Sequence, residues 1–181
     1  DQKVWISRHR QSLQLPARFL LIATSNPCAC GYLGSDERVC RCSAGMLRNY
    51  ASRLLGPLRA RLVLELFVNN HSMHTRKMTA LENVYEIIDR AYRIQRARFA
   101  GTAIEFNGLI PSDQIEKYCS FEDRLARESL QELGLQQACS LRTLFAIRRL
   151  ARTLADLDAA PEIRAKDVRN AAGMRMLDRH Y

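Results

Sequence analysis

The feature that most constrains the fold is an apolar run that ends in a cysteine-bearing turn. Residues 19–24 read Phe-Leu-Leu-Ile-Ala-Thr, and Ser-Asn-Pro-Cys-Ala-Cys-Gly follows at 25–31. Six apolar or β-favouring residues before an Asn-Pro turn are typical of a short strand buried on both faces of a parallel sheet. Because α/β sheets hold ligands beyond the carboxyl ends of their strands, we expect a functional edge directly after Thr24.

Two Cys-x-Cys pairs flank a glycine-bearing loop over residues 31–39. The pairs are Cys28 with Cys30 and Cys40 with Cys42. Four thiolates in this arrangement can surround one tetrahedral ion, and zinc is the metal that this ligand set favours. The alternative is a loop with four free thiols, because Cys-x-Cys is tighter than the commoner Cys-x-x-Cys spacing.

Charge favours a polyanionic partner. The 181-residue chain has 28 Lys and Arg against 19 Asp and Glu, a net charge of +9. Such an excess suits nucleic acid or nucleotide phosphates, although a solvated basic surface would have the same composition. No apolar run approaches the roughly 18 residues that span a bilayer, and the first twenty residues lack a signal-peptide core. We therefore expect a cytoplasmic protein with no membrane partner.

The pattern of the chain changes near residue 70. Residues 3–7 and 12–15 predict a hairpin with a basic tip, and residues 62–68 predict a second apolar strand. Between them, residues 44–55 are helical in pattern and stop at Gly56-Pro57. The chain is thus expected to have an α/β part at 1–70 and a helical part at 75–181.

The second part predicts helix after helix. A capping box at residues 79–82 begins a helix that closes at Gly101. Further helices are expected from Ser112, from about 121 to 133 before Gly134, after the cap Ser140, and around 166–177.

These motifs, in this order, resemble the C-terminal portion of the magnesium-chelatase-like AAA+ ATPases of the competence protein ComM group. The resemblance covers nearly the whole length, and its most specific part is the Asn-Pro-Cys-x-Cys-Gly block with the later Cys-x-Cys. It implies an α/β plus α fold: a partial AAA+ core, with the sensor 1 strand, the pre-sensor hairpin and the cysteine loop, followed by an all-helical AAA+ lid domain.

The resemblance also implies site residues. Asn26 falls at sensor 1, which orients the attacking water, although an Asn-Pro turn is the alternative. Arg61 falls at the arginine finger, with Arg59 as a rival, and Arg142 falls at sensor 2 as a catalytic and nucleotide-binding residue.

Partners and cofactors follow from the same resemblance. Arg8, His9 and Arg10 match the insertion that points into the pore of a ring, where basic residues suit a phosphate backbone, although a solvated turn is the alternative reading. The implied cofactors are ATP and Mg²⁺, whereas Zn²⁺ at the cysteines is expected from their spacing and not from the resemblance. The implied partners are DNA and neighbouring AAA+ subunits in a homo-oligomeric, hexameric ring.

Several departures from the family bear on activity. The chain contains neither a G-x-x-x-x-G-K-[ST] phosphate loop nor the acidic strand that holds magnesium, so we expect it to be inactive alone. Ala60 and Val63 replace two acidic residues beside the finger position. The strand that would lie between residues 19–24 and 62–68 is also missing from the sequence.

Two classes of function are compatible with this pattern. The first is the sensor and lid portion of an ATPase that drives DNA remodelling or branch migration, with the ATPase subunit of magnesium chelatase as a near relative. The second is a non-enzymatic, zinc-stapled basic module that binds nucleic acid or regulates an ATPase ring.

Overall fold

A computed structural model describes residues 3–8, 11–36, 38–59, 61–66, 68, 81–136 and 139–175 of the chain. Within these residues, two strands and six helices give a mixed α/β structure in which the helices dominate. They are β1 (Lys3–Arg8), β2 (Gln11–Pro16), α1 (Ala44–Arg59), α2 (Leu81–Arg98), α3 (Ile115–Tyr118), α4 (Arg124–Gln136), α5 (Leu141–Leu157) and α6 (Ala165–Gly173).

The predicted hairpin is confirmed. β1 and β2 pair antiparallel in a register that sets Lys3 opposite Pro16 and Arg8 opposite Gln11. The Ser7 and Ser12 hydroxyls lie 2.8 Å apart across the pair. Both faces of this two-stranded sheet are exposed, since Trp5 keeps 66% of its surface accessible. The expected basic tip at His9 and Arg10 lies outside the described residues.

The two predicted buried strands are wrong. Residues 17–26 have no strand assignment, and Phe19 and Leu20 are 75% and 83% exposed. Residues 62–66 also lack a strand, and Leu66 is exposed. Among the described residues neither segment has a neighbouring strand to complete its hydrogen bonds, and a lone strand is not stable in water. Apolar sequence alone therefore did not produce a sheet here.

Helix α1 begins as expected but ends later. The Ser43 hydroxyl accepts a hydrogen bond from the Met46 amide at 3.3 Å, which caps the first turn. The predicted stop at Gly56-Pro57 is wrong, because the helix continues to Arg59. Pro57 has no N–H to donate to the Arg53 carbonyl, but the helix keeps its geometry for two further residues.

The centre of the helical part is α5. Its cap was predicted correctly, and the Ser140 hydroxyl accepts from the Thr143 amide at 3.3 Å. Most of the helix circumference in its second half is buried, and the helix packs against α2, α4 and α6. The buried apolar residues that join these helices are Phe99, Ile110, Ile115, Cys119, Ile147, Leu150, Ala151, Ile163, Val168, Ala171 and Ala172.

The remaining predicted helices are present with shifted bounds. Gly134 lies inside α4 rather than after it, and α6 ends at Gly173 within the described residues. Helix α2 ends near Gly101, which has a φ of 74°, as expected for a glycine that closes a helix. The proposed capping box at 79–82 rests on Thr79, which lies outside the described residues.

A buried ion pair between Arg98 and Asp156 fastens α2 to α5. Asp156 is fully buried, and its carboxylate accepts three sets of hydrogen bonds. The donors are Arg98 at 2.7 Å, Arg152 at 2.9 Å and the side-chain amide of Asn107 at 2.7 Å. Arg152 also donates to the carbonyl of Pro161 at 2.8 Å. The arginine-rich character of α5 is therefore partly internal.

Contacts between the described residues of the N-terminal part and the helical part include an ion pair and a backbone hydrogen bond. Arg18 forms an ion pair with Glu105, and the Glu65 amide donates to the Met174 carbonyl at 2.8 Å. None of the helices in the described residues is both long enough and apolar enough to cross a membrane.

Candidate metal centre and nucleotide-contact residues

Two tight turns fold the cysteine segment back on itself. The Gly31 amide donates to the Cys28 carbonyl at 3.0 Å, and the Ser35 amide donates to the Tyr32 carbonyl at 3.1 Å. Gly31 and Gly34 have φ angles of 85° and 77°, a conformation in which a side chain would be strained. These turns return the chain so that the second cysteine pair meets the first.

The four thiols form one cluster. Cys28 Sγ lies 3.4 Å from Cys30 Sγ and 3.7 Å from Cys40 Sγ, and Cys30 and Cys40 are separated by 3.6 Å. The Sγ atom of Cys42 completes the group, and all four sulfurs lie within 4.8 Å of one another. A tetrahedral site with metal–sulfur bonds of about 2.3 Å places its sulfurs about 3.8 Å apart. The thiols therefore have the spacing of a mononuclear metal site.

Backbone amides already support negative charge on this cluster. Hydrogen bonds from the Tyr32 and Arg41 amides, with a further bond from Cys28, lower the pKa of Cys30 to about 6. Cys40 also receives a backbone hydrogen bond, from Cys42, which lowers its pKa. Burial and the hydrogen bonds of Cys30 and Cys28 outweigh that bond and raise the pKa of Cys40 to about 12. A negative charge on Cys30 therefore disfavours a second negative charge on Cys40 unless a cation is bound.

Helix α1 supports the start of the cysteine turn. The Tyr50 hydroxyl donates to the backbone carbonyl of Asn26 at 3.1 Å. This bond holds the backbone at Asn26, two residues before the fully buried Cys28. The Asn26 side chain is exposed, and the residue follows an extended segment rather than the strand that the sequence predicted.

A basic cleft borders the cluster, and the sequence did not single it out. Its volume is about 550 Å³, and its lining includes Tyr32, Arg38, Val39 and Arg41 beside Cys30. The Arg38 guanidinium lies 5.3 Å from the centre of the Tyr32 ring and donates to the Tyr32 hydroxyl at 3.1 Å. The arginine inside Cys-Arg-Cys was the available signal, since a residue between two ligands must lie at the rim of the site.

The predicted site residues fall in separate segments. The contacts bring the four cysteines together and set Asn26 beside them. Arg61 and Arg142 are both exposed, the first before α2 and the second in the first turn of α5. Arg8 ends β1, while His9, Arg10 and the side chain of Arg59 lie outside the described residues.

Several arginines of α2 and α5 make contacts within the fold. Arg90 donates to the Leu157 carbonyl at 2.8 Å, and Arg93 pairs with Asp89 at 2.6 Å. Arg148 is buried against the Phe121 ring and pairs with Glu116. Arg90, Arg93 and Arg96 nevertheless remain exposed along the outer side of α2.

Comparison with known proteins gives two family matches and several relatives. Residues 1–76 match the family model "Magnesium chelatase, subunit ChlI", and residues 78–175 match "Magnesium chelatase, subunit ChlI C-terminal". The protein YifB of Salmonella typhimurium is 30% identical over 98% of this chain. Competence protein ComM of Haemophilus influenzae is also 30% identical over 98% of it. The chain spans about a third of each relative, 35% and 34% respectively.

Proposed function

Because the chain belongs to the magnesium chelatase ChlI family, we propose that it is the sensor and lid portion of a ComM-type AAA+ ATPase that remodels DNA. Residues 1–70 complete an α/β core, and residues 75–181 are the lid. The assembly is a homo-oligomeric, hexameric ring whose phosphate loop lies outside the present sequence. The observation that carries the proposal is the similarity to competence protein ComM over 98% of the chain.

The chain's own residues act at the terminal phosphate in this proposal. They include no phosphate loop and no acidic strand for Mg²⁺, so they fit ATP only at that end. Asn26 holds a water beside the phosphate, while Arg61 and Arg142 provide positive charge for the oxygens. The exposure of all three side chains supports these roles, since a side chain committed to the core could not reach a nucleotide.

A chimeric protein tests the ATPase proposal. The matching third of Haemophilus influenzae ComM is replaced by this chain, and DNA-stimulated ATP hydrolysis is compared with that of the parent. We expect Asn26→Ala and Arg142→Ala each to lower kcat about 100-fold or more, as for loss of a group that stabilises transition-state charge.

The matched control is Arg124→Ala on α4, whose exposed side chain pairs only weakly with Glu128 across one helical turn. It should leave kcat unchanged. A folded chimera in which Asn26→Ala and Arg142→Ala hydrolyse ATP as fast as this control would contradict the proposed roles.

One observation favours the second candidate function, a non-enzymatic basic module that binds nucleic acid. The cleft beside the cysteines combines the guanidinium groups of Arg38 and Arg41 with an aromatic ring, a combination that suits a phosphate backbone and a stacked base. This surface requires no ATP. It differs from the proposed pore contact of Arg8, His9 and Arg10.

Binding of labelled single-stranded DNA, followed by fluorescence anisotropy at several salt concentrations, separates the two surfaces. If the hairpin is the contact, Arg8→Ala with Arg10→Ala should weaken binding and reduce the salt slope by about 0.7 per lost phosphate contact, the value for single strands. If the cleft is the contact, Arg38→Ala with Arg41→Ala should have this effect instead. Neither pair changing the slope relative to Arg124→Ala would exclude both surfaces.

A further inference from the structure

We propose that Cys28, Cys30, Cys40 and Cys42 bind one Zn²⁺ ion in a closed structural site that orders the segment from residue 28 to α1. Neither the family descriptions nor the relatives' names assign a metal to these residues. The proposal stands apart from the ATPase function, because it concerns how the N-terminal part is held together.

The spacing of the sulfurs limits the site to one ion. Distances of 3.4 to 3.7 Å between three of them match the edges of a tetrahedron around a single metal. A cluster with several iron atoms needs more room than four ligand atoms within 4.8 Å of one another provide. The two turns at residues 28–31 and 32–35 supply this spacing through the backbone itself.

The donor set selects the metal. Thiolates are soft ligands, so Mg²⁺ and Ca²⁺, which prefer oxygen, are poor occupants. A tetrahedral group of four thiolates is typical of zinc, and four protein ligands leave no open position for substrate or water. The site is therefore structural rather than catalytic.

The surroundings of the sulfurs fit a bound cation. Backbone amides of Tyr32 and Arg41 donate toward Cys30, and the Cys42 amide donates toward Cys40. Such outer contacts orient metal-bound thiolates and share their negative charge. As zinc binds, each thiol that is still protonated gives its proton to solvent, so that four thiolates share the charge of the ion.

A bound metal would stabilise this segment, because few of its described side chains are buried. Cys28 is fully buried, whereas Val39 is 87% exposed and the apolar run before Asn26 faces solvent. A small unit without enough buried apolar area is commonly stabilised by a metal. The hydrogen bond from the Tyr50 hydroxyl to the Asn26 carbonyl then links the ordered segment to α1.

Metal analysis of the purified chain tests the site. We expect one zinc per chain by elemental mass spectrometry, and a visible ligand-field spectrum of a tetrahedral thiolate when Co²⁺ replaces it. Cys28→Ser and Cys40→Ser should each weaken zinc affinity by at least about tenfold. The control Cys139→Ser removes a half-buried thiol outside the cluster and should bind zinc normally.

Hydrogen exchange provides a second readout that distinguishes local from global effects. Removal of zinc by a chelator should raise exchange in residues 28–53 while α5 keeps its protection. The proposal is overturned if the reduced chain takes up no zinc, if it binds iron instead, or if both segments exchange identically with and without metal.

Discussion

At the residue scale, the structure separates arginines that hold the fold from those that face solvent. The sequence showed an arginine-rich chain and a basic pattern on α5, but it did not show which guanidinium groups are buried. Arg148 and Arg152 lie in the interior, with their donors satisfied by carboxylates and backbone carbonyls. Burial depends on the packing of several helices, so the period of one helix cannot reveal it.

Asp156 is the residue whose loss should be felt most. We expect Asp156→Ala to lower the free energy of unfolding by about 3–5 kcal/mol, because it leaves Arg98 and Arg152 charged without their buried partner. Urea denaturation followed by circular dichroism measures this change.

A second carboxylate variant serves as the control for that experiment. Asp89→Ala breaks an exposed pair with Arg93 on α2 and should cost at most about 0.5 kcal/mol. If Asp156→Ala and Asp89→Ala lowered the free energy of unfolding equally, burial would not determine how much the Asp156 ion pairs stabilise the fold.

At the scale of elements, the helices could be predicted because their signals are local. The Ser140 cap and the glycine near the end of α2 act within a turn of their own position, so the sequence identifies them directly. The strands at 19–24 and 62–68 were mispredicted because a strand depends on partners distant in the chain. The cysteine cluster could be predicted from spacing, whereas the cleft beside it depends on how two turns fold.

Helix α2 illustrates the same limit within one element. Its apolar residues Leu81, Tyr85 and Ile88 are exposed, while Ala91 is buried. Only the second half of the helix lies against α5. The part of an apolar helix face that is covered therefore depends on neighbouring elements, which the period of the helix does not reveal.

At the scale of the whole molecule, the helical part has its own core, and the described residues before it form no comparable apolar cluster. We therefore expect residues 75–181, expressed alone, to unfold in one cooperative transition, because the buried cluster from Phe99 to Ala172 lies entirely within them. Differential scanning calorimetry measures the transition. A broad, non-cooperative melt of this shortened chain would contradict an independent helical unit.

The Asp156 cluster also has a mechanical meaning. Arg98 on α2 and the Asn107 side chain after it both donate to one carboxylate on α5, so α2 and α5 cannot slide past each other without breaking these bonds. The bundle is consequently stiff along this seam. A movement of the exposed first turn of α5 would therefore move α2 with it.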